Sequence, residues 1–274
     1  MIDISLIVPT YNPGKYLFEC LESICKQTFP SNRWEIILIL NGNVDQYKTT
    51  IKQYLKEFIE PHFNITFITT KIASVSNARN IGIEKAKGTY FCFIDDDDII
   101  SPTYLEKLFY LANETNLVIS NVYSFINTPI EKRENFFICK QLRNINKIRY
   151  KSFFHYRSFL AFPVAKIIHK NIVGNRRFDI RFKNGEDALF ITSISDRITN
   201  IIFTDEDAIY YVRERIGSAS RKKISKIKLL IDSIRLIGAY LYVYINNPFK
   251  YSLPLFLSRI PGVIKNAYIL SKNK

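Results

Sequence analysis

The chain carries neither a GxxxxGK[ST] loop nor a GxGxxG turn after a strand, and only nine of its 274 residues are glycine. Phosphates are therefore not held by the usual glycine-rich backbone cradle. The four cysteines, Cys20, Cys25, Cys92 and Cys139, form no CxxC pair. That pattern excludes a thiol redox motif and fits reduced, buried thiols in a cytoplasmic protein. The three histidines, His62, His155 and His169, stand at no metal-ligand spacing, so a zinc site is not expected. No Ser-His or Cys-His pairing occupies a recognisable nucleophile elbow. The opening MIDISLIVPTYN has no basic segment before its short apolar run, so neither a signal peptide nor a membrane span is expected there. LIGAYLYVYI (236–245) is apolar but shorter than the roughly 20 residues that cross a bilayer. It is a candidate to lie on a membrane surface instead.

What is abundant is apolar surface and positive charge. At 47% hydrophobic and 14% aromatic residues, the chain can bury one large core, or a core with a smaller appended lobe. The net charge of +14 is unevenly placed: residues 1–131 carry 11 Lys/Arg against 15 Asp/Glu, and residues 132–183 carry 14 against 2. Residues 184–212 reverse to 1 against 6, and 213–274 return to 13 against 2. The two basic blocks suit an anionic partner, a phosphate-bearing substrate or anionic lipid, or else form a solvated basic face. Nucleic acid is not the expected partner, since no helix-turn-helix, RNA-recognition or zinc signature accompanies the charge.

Short apolar runs alternate with amphipathic stretches through the first half: ISLIVPT, GKYLFECLESICKQ, WEIILIL, VDQYKTTIKQYLKEFIE, ITFITT, SVSNARNIGIEKAKG and TYFCFID. This order predicts strand and helix in alternation, hence a mainly parallel sheet with helices on both faces. Further on, TYLEKLFYLANET predicts a helix, LVISNVYSFI one strand, KIIHKNI a helical segment, and NIIFTDEDAIYYVRER one strand, while 129–160 shows no clear period. KKISKIKLLIDSIRLIGAYLYVYI predicts a helix with an apolar stripe and lysines opposite. Three parts are expected: an α/β part over 1–125, a second part over 126–220, and a basic helical extension over 221–274.

Ligands of parallel sheets sit beyond the carboxyl ends of the strands, which singles out residues 9–12, 41–45, 69–71 and 95–98. Asp95, Asp96, Asp97 and Asp98 repel one another, and a divalent cation relieves that repulsion. Mg2+ or Mn2+, held by one or two carboxylates plus substrate oxygens, is the most economical way to hold phosphate here. An extended backbone would alternate these side chains, Asp95 and Asp97 on one side, Asp96 and Asp98 on the other. The plainer alternative is an acidic cap on the helix that begins near Pro102. Glu186 and Asp187 follow a turn at Asn184 and Gly185; they suit either a helix cap or a general base. Arg213 and Arg215, just before Gly217 and Ser218, suit diphosphate oxygens or a basic surface strand.

In this combination and order, ISLIVPTYNPGKYLFECLESICKQTF, NARNIGIEKAKGTYFCFIDDDD and FKNGEDALF resemble the family 2 glycosyltransferases of the GT-A fold, over roughly residues 3 to 220. The resemblance implies a GT-A fold, with a smaller acceptor lobe formed around the basic segment 132–183. It implies inverting, metal-dependent transfer of a sugar from a nucleoside-diphosphate-sugar donor, of the UDP type, to a hydroxyl of a glycan or lipid-linked acceptor in cell-surface polysaccharide synthesis. Thr10, Tyr11 and Asn12 match the loop that meets base and ribose, and Arg79 matches the arginine near the nucleotide. Asp95, Asp96 and Asp97 match the DXD segment, with Asp97 and Asp95 as the implied ligands of Mg2+ or Mn2+. Asp98 and Glu186 are implied in support, and Asp187 as the catalytic base. Arg213, Arg215 and Ser218 match an element closing on the diphosphate. Asn41 stands where the family usually has an aspartate that meets the base, and an amide adds a donor to the acceptor. A catalytically silent nucleotide-sugar-binding protein of the same fold is the alternative. The expected location is cytoplasmic, with the basic tail peripheral on the membrane's inner face.

Overall fold

In the computed structural model, which describes residues 1–129, 137–148, 151–214 and 226–272, β1 (Ile4–Thr10) and β2 (Trp34–Asn41) are buried at every position. Unbroken burial of this kind suits strands covered on both faces. They join β3 (Ile65–Thr70), β4 (Tyr90–Phe93), β6 (Asn116–Ile119), β8 (Lys166–His169) and β9 (Asn200–Phe203) in a seven-stranded sheet ordered β3-β2-β1-β4-β8-β6-β9. β8 runs antiparallel to both of its neighbours; the remaining pairings are parallel. A second sheet orders β5 (Ile99–Ile100), β10 (Ile209–Arg213) and β7 (Asn121–Phe125).

The helices are α1 (Lys15–Cys25), α2 (Val44–Tyr54), α3 (Val75–Lys85), α4 (Tyr104–Leu111), α5 (Phe137–Asn146), the single-turn α6 (Lys170–Val173), α7 (Glu186–Ser193), α8 (Lys226–Asn246) and α9 (Leu253–Lys272). α1 buries Leu17, Cys20, Leu21 and Ile24, a 3.6-residue stripe. Ser74 caps α3 by accepting from the backbone N–H of Asn77 at 3.2 Å, a contact typically worth about 1 kcal/mol. α3 lies so close to β1 that a Cβ on Gly82 would stand 2.3 Å from Ile7 Cγ2. That approach brings Arg79, one turn earlier, over the end of the sheet.

The main core runs from Ile4 to Leu255. A separate cluster of Phe182, Leu189, Leu236, Tyr240, Tyr251 and Phe256 fastens α8 and α9 to α7.

Several expectations are corrected. KIIHKNI is strand over Lys166–His169 and helical only over Lys170–Val173; Ile167 and Ile168 are fully buried because the segment fills the gap between β4 and β6. LVISNVYSFI and NIIFTDEDAIYYVRER each divide into two strands that belong to different sheets. In the first, the chain changes partner at Ser120, whose N–H donates to Ala165 O while that of Asn121 donates to Ala208 O. Residues 137–146, read as irregular, form α5. The apolar stretch read as 236–245 belongs to a longer helix: Ile227–Asn246 is long and apolar enough to cross a membrane, although Leu236 and Tyr240 pack into the protein.

Candidate active site

The chain leaves β1 for β2 and β3 on one side, then crosses to β4 on the other. A crevice opens at the carboxyl ends of strands where the order reverses in this way. Thr10 ends β1, and the four aspartates follow β4 at the same end of the sheet.

The aspartates form a turn, not an extended run, because the Asp98 N–H donates to Asp95 O at 3.1 Å. This corrects the expected alternation and sends each carboxylate its own way. Asp95 Oδ1 accepts from Arg79 Nη2 at 2.9 Å, and Asp96 accepts from the Thr10 hydroxyl. Asp97 is half-buried at the turn. Asp98 is buried, its Oδ1 accepting from the Arg213 backbone N–H at 2.9 Å. Burial, then the charges of Asp97 and Asp95, hold the Asp98 carboxyl well above the usual range. Nor do these residues cap a helix: the chain runs from Asp98 into β5, and α4 starts only at Tyr104.

Arg79 connects the turn to α7. Its guanidinium is 3% exposed and donates to Asp95 and, through Nη1, to Asp187 Oδ1 at 2.5 Å. Burial disfavours the charge, but Asp187 and Asp95 more than offset it and hold Arg79 above its ordinary value. The Asp187 carboxylate keeps 27% of its surface exposed. Its pKa is raised by burial, opposed by Arg79. Glu186 is buried and pushed up to about 7, first by burial and then by the charge of Asp187.

Asn41 is buried and donates from Nδ2 to Thr10 O at 2.8 Å. The amide that replaces the family's aspartate thus ties the ends of β1 and β2 together. Tyr11 stays half exposed at the rim, and Asn12 Oδ1 accepts from Asn43 at 3.3 Å. Arg213 lies behind the turn: its Nε donates to Asp97 O at 2.8 Å and its Nη2 to Glu19 on α1 at 2.6 Å. The guanidinium also sits over the rings of Tyr16 and Phe125. Arg215 and Ser218 lie outside the described residues.

Three participants escaped the sequence reading. The Tyr210 hydroxyl accepts from the Asp95 N–H at 3.0 Å and donates to Asp98. Glu19 anchors Arg213. Lys166 is fully buried, donates to Phe162 O and Val164 O at 2.7 and 2.8 Å, and is held well below the usual ammonium range by burial, with Asp187 opposing. Their only signal is a polar or charged residue inside an apolar strand, or on a helix face turned to a charged turn.

The oxygen donors fit a hard divalent cation. Asp97, and Asp95 through the oxygen not engaged by Arg79, offer two carboxylates. No group of three or more His, Cys, Asp or Glu able to hold a metal occurs among the described residues. A Mg2+ held by these two carboxylates would depend on substrate oxygens and water for its other ligands.

Against known proteins, the family model for Glycosyl transferase family 2 matches residues 5–179. The chain is 28% identical over 269 residues to the minor teichoic acid biosynthesis protein GgaB of Bacillus subtilis, covering 96% of this chain and 27% of that protein. It is 29% identical over 233 residues to glycosyltransferase GlyG of Streptococcus pneumoniae, covering 80% of this chain and 73% of that protein. Among solved structures, S. aureus TarS 1–349 in complex with UDP-GlcNAc superposes with a TM-score of 0.71 at 19% identity, over 99% of this chain and 74% of that one. This likeness establishes the GT-A fold. The chain thus spans about a quarter of the length of GgaB and most of GlyG.

Proposed function

The chain belongs to glycosyl transferase family 2, and on that premise we propose that it transfers a sugar from a nucleoside diphosphate to an acceptor hydroxyl, with Asp187 as the base. The observation that carries this reading is the Arg79 bridge. One buried guanidinium holds a carboxylate of the aspartate turn and the carboxylate of Asp187 at a single strand edge. Donor-binding and proton-accepting groups are thereby fixed relative to each other.

Thr10, Tyr11, Asn12 and Asn41 line the place for the nucleoside, and Asp95 to Asp97 the place for the diphosphate. Asp97 and Asp95 would hold Mg2+ or Mn2+, which when bound neutralises charge growing on the leaving diphosphate. The acceptor oxygen attacks the anomeric carbon from the side opposite the diphosphate. As that bond forms, the carbon–oxygen bond to the diphosphate breaks and its electron pair leaves with the nucleotide, inverting the centre. The hydroxyl proton passes to Asp187 Oδ2, the oxygen that Arg79 does not engage. Lys166 and Arg213 act as positioning residues behind these groups.

The proposed donor is a uridine diphosphate sugar, supported by the UDP-GlcNAc bound to TarS 1–349, and the proposed acceptor a cell-surface glycan, supported by the likeness to the teichoic acid biosynthesis protein GgaB. The proposed location is peripheral on the cytoplasmic membrane face, and α8 supports it. Its outer face exposes Ile227, Ile231, Ile234, Leu241 and Ile245, and Lys228 and Arg235 are exposed at its rim. Residues 226–272 hold seven Lys/Arg against one Asp, which favours anionic lipid over a second, equally basic copy.

Replacing Asp187 tests the chemistry. Asp187→Asn is expected to bind UDP with Mn2+ like the wild type, by calorimetry, while losing about 10²- to 10⁴-fold in turnover. Wild-type turnover in that variant would remove Asp187 from the role. A wild-type chain that binds UDP-GlcNAc yet neither transfers nor hydrolyses it would be a nucleotide-sugar sensor.

A further inference from the structure

A cavity of about 470 Å3 lies between the turn that begins α7 and the two carboxyl-terminal helices. Asn184, Glu186 and Asp187 form one wall, Ser233 and Tyr240 of α8 a second, and Asn266 of α9 a third. Its volume falls within the about 300–1,000 Å3 of small-molecule sites. Asp187 is among its lining residues, so the cavity reaches the proposed base.

The wall is tightly fitted there. Gly185 has φ +85°, and a Cβ on it would stand 2.5 Å from Leu236 Cδ2. A side chain at 185 would strain the backbone and force the Leu236 side chain to shift.

A second observation points to a ligand. Glu186 is 6% exposed, lines the cavity, and its Oε2 has no hydrogen-bond partner. A buried carboxyl oxygen without a partner costs on the order of 1–3 kcal/mol. A ligand hydroxyl that reached this oxygen would supply what the protein omits. Arg259, also in the lining, does not turn the site into an anion pocket: it donates to Thr192 Oγ1, Arg157 O and Leu160 O, each at 3.0 Å. The remaining polar and aromatic chemistry is two rings (Phe182, Tyr240), two amides, two serine hydroxyls, three carboxyls (Glu186, Asp187, Asp232) and the exposed ammonium of Lys183, so carboxyls outnumber cations. Such a lining suits a neutral ring or chain with apolar C–H edges and several hydroxyls.

We propose that this cavity binds the sugar or polyol unit of the acceptor, with Glu186, Asn184 and Asn266 meeting its hydroxyls and the reacting hydroxyl at Asp187. The assignment rests on Asp187 being the base. It moves the acceptor site away from the basic segment 132–183, whose described residues contribute only Ala161, Phe182 and Lys183, and into helices that begin after the family match ends at residue 179.

Ligand-observed saturation-transfer NMR on the full chain tests it, with methyl β-D-glucopyranoside and ribitol as probes. The wild type is expected to give a signal with at least one probe. Asn266→Trp and Ser233→Trp, each of which fills the cavity from a different helix, are expected to lose it while UDP with Mn2+ still binds by calorimetry. No signal from the wild type with either probe, or a signal that survives in both folded variants, overturns the proposal. Failure of the wild type to bind UDP would sink the donor reading separately, and the probe signals would still decide the cavity.

Discussion

The two walls around Asp187 are built in opposite ways. On the donor side nearly every charge has a fixed partner: Asp95 and Asp187 share Arg79, Asp96 holds Thr10, and Asp98 is satisfied by Arg213 and Tyr210. On the helical side the contacts are mostly apolar, one carboxyl oxygen of Glu186 is unpartnered, and the outer surface of α8 exposes isoleucine and leucine. Fixed partners hold a geometry that the chemistry requires of any donor. Unpartnered polar atoms occur on both sides, Arg79 Nε on the first and Glu186 Oε2 on the second, but open apolar surface belongs to the helical side.

Substitutions should separate the two sides, and the largest effect is expected at the bridge. Arg79→Met leaves Asp95, Asp187 and Glu186 crowded without a cation. Breaking a buried pair typically costs about 3–5 kcal/mol, and the lower figure applies because Asp95 and Asp187 keep 39% and 27% of their side-chain surface exposed. Urea unfolding that shows an unchanged midpoint would mean the bridge does not hold the donor side together.

Glu186→Gln should act in the other direction. The carboxyl ionises at about 7 in the folded chain against an ordinary 4.5, so folding favours its protonated form and ionisation opposes folding. The penalty is absent below about pH 4.5, develops toward pH 7 and is complete above it. At about 1.36 kcal/mol per pH unit its ceiling is roughly 3 kcal/mol. Thermal melts should therefore show the variant more stable than the wild type at pH 8, with the gain fading toward pH 4.5. A gain that stays constant with pH would show that Glu186 is ionised throughout.

The smallest effect on stability is expected on the outer face of α8. Ile234 is 61% exposed, so Ile234→Gln should change folding stability by no more than about 0.5 kcal/mol. Its effect should appear in flotation with anionic liposomes, which the variant weakens and added salt weakens further. Flotation equal to the wild type would leave this face without its proposed partner.

Much of the donor side was legible in the residues. Fully buried parallel strands leave unbroken apolar runs, and the charged residues at their carboxyl ends therefore stood out. What was hidden depends on contacts distant in sequence. The alternation assigned to the aspartates failed because Asp98 N–H closes back on Asp95 O. KIIH is strand because β4 and β6 leave a gap that only an extended segment fills, and four residues are too few to display a period. Glu19 and Arg213 meet across 194 positions, with no local pattern to announce the pair. The cavity was invisible for a further reason: Ser233, Tyr240 and Asn266 are ordinary helix residues until α8 and α9 fold over the α7 turn.

The close fit of Gly185 against Leu236 bears on how such enzymes can be recombined. A chimera that exchanges the α7 turn but keeps its own α8 must still fit that turn against the Leu236 side chain. The residues of the Asn184–Asp187 turn and the helical hairpin α8–α9 are distant in the chain yet mechanically one part. Exchanged together, they form a cassette that should carry acceptor choice from one relative to another while leaving the nucleotide end untouched.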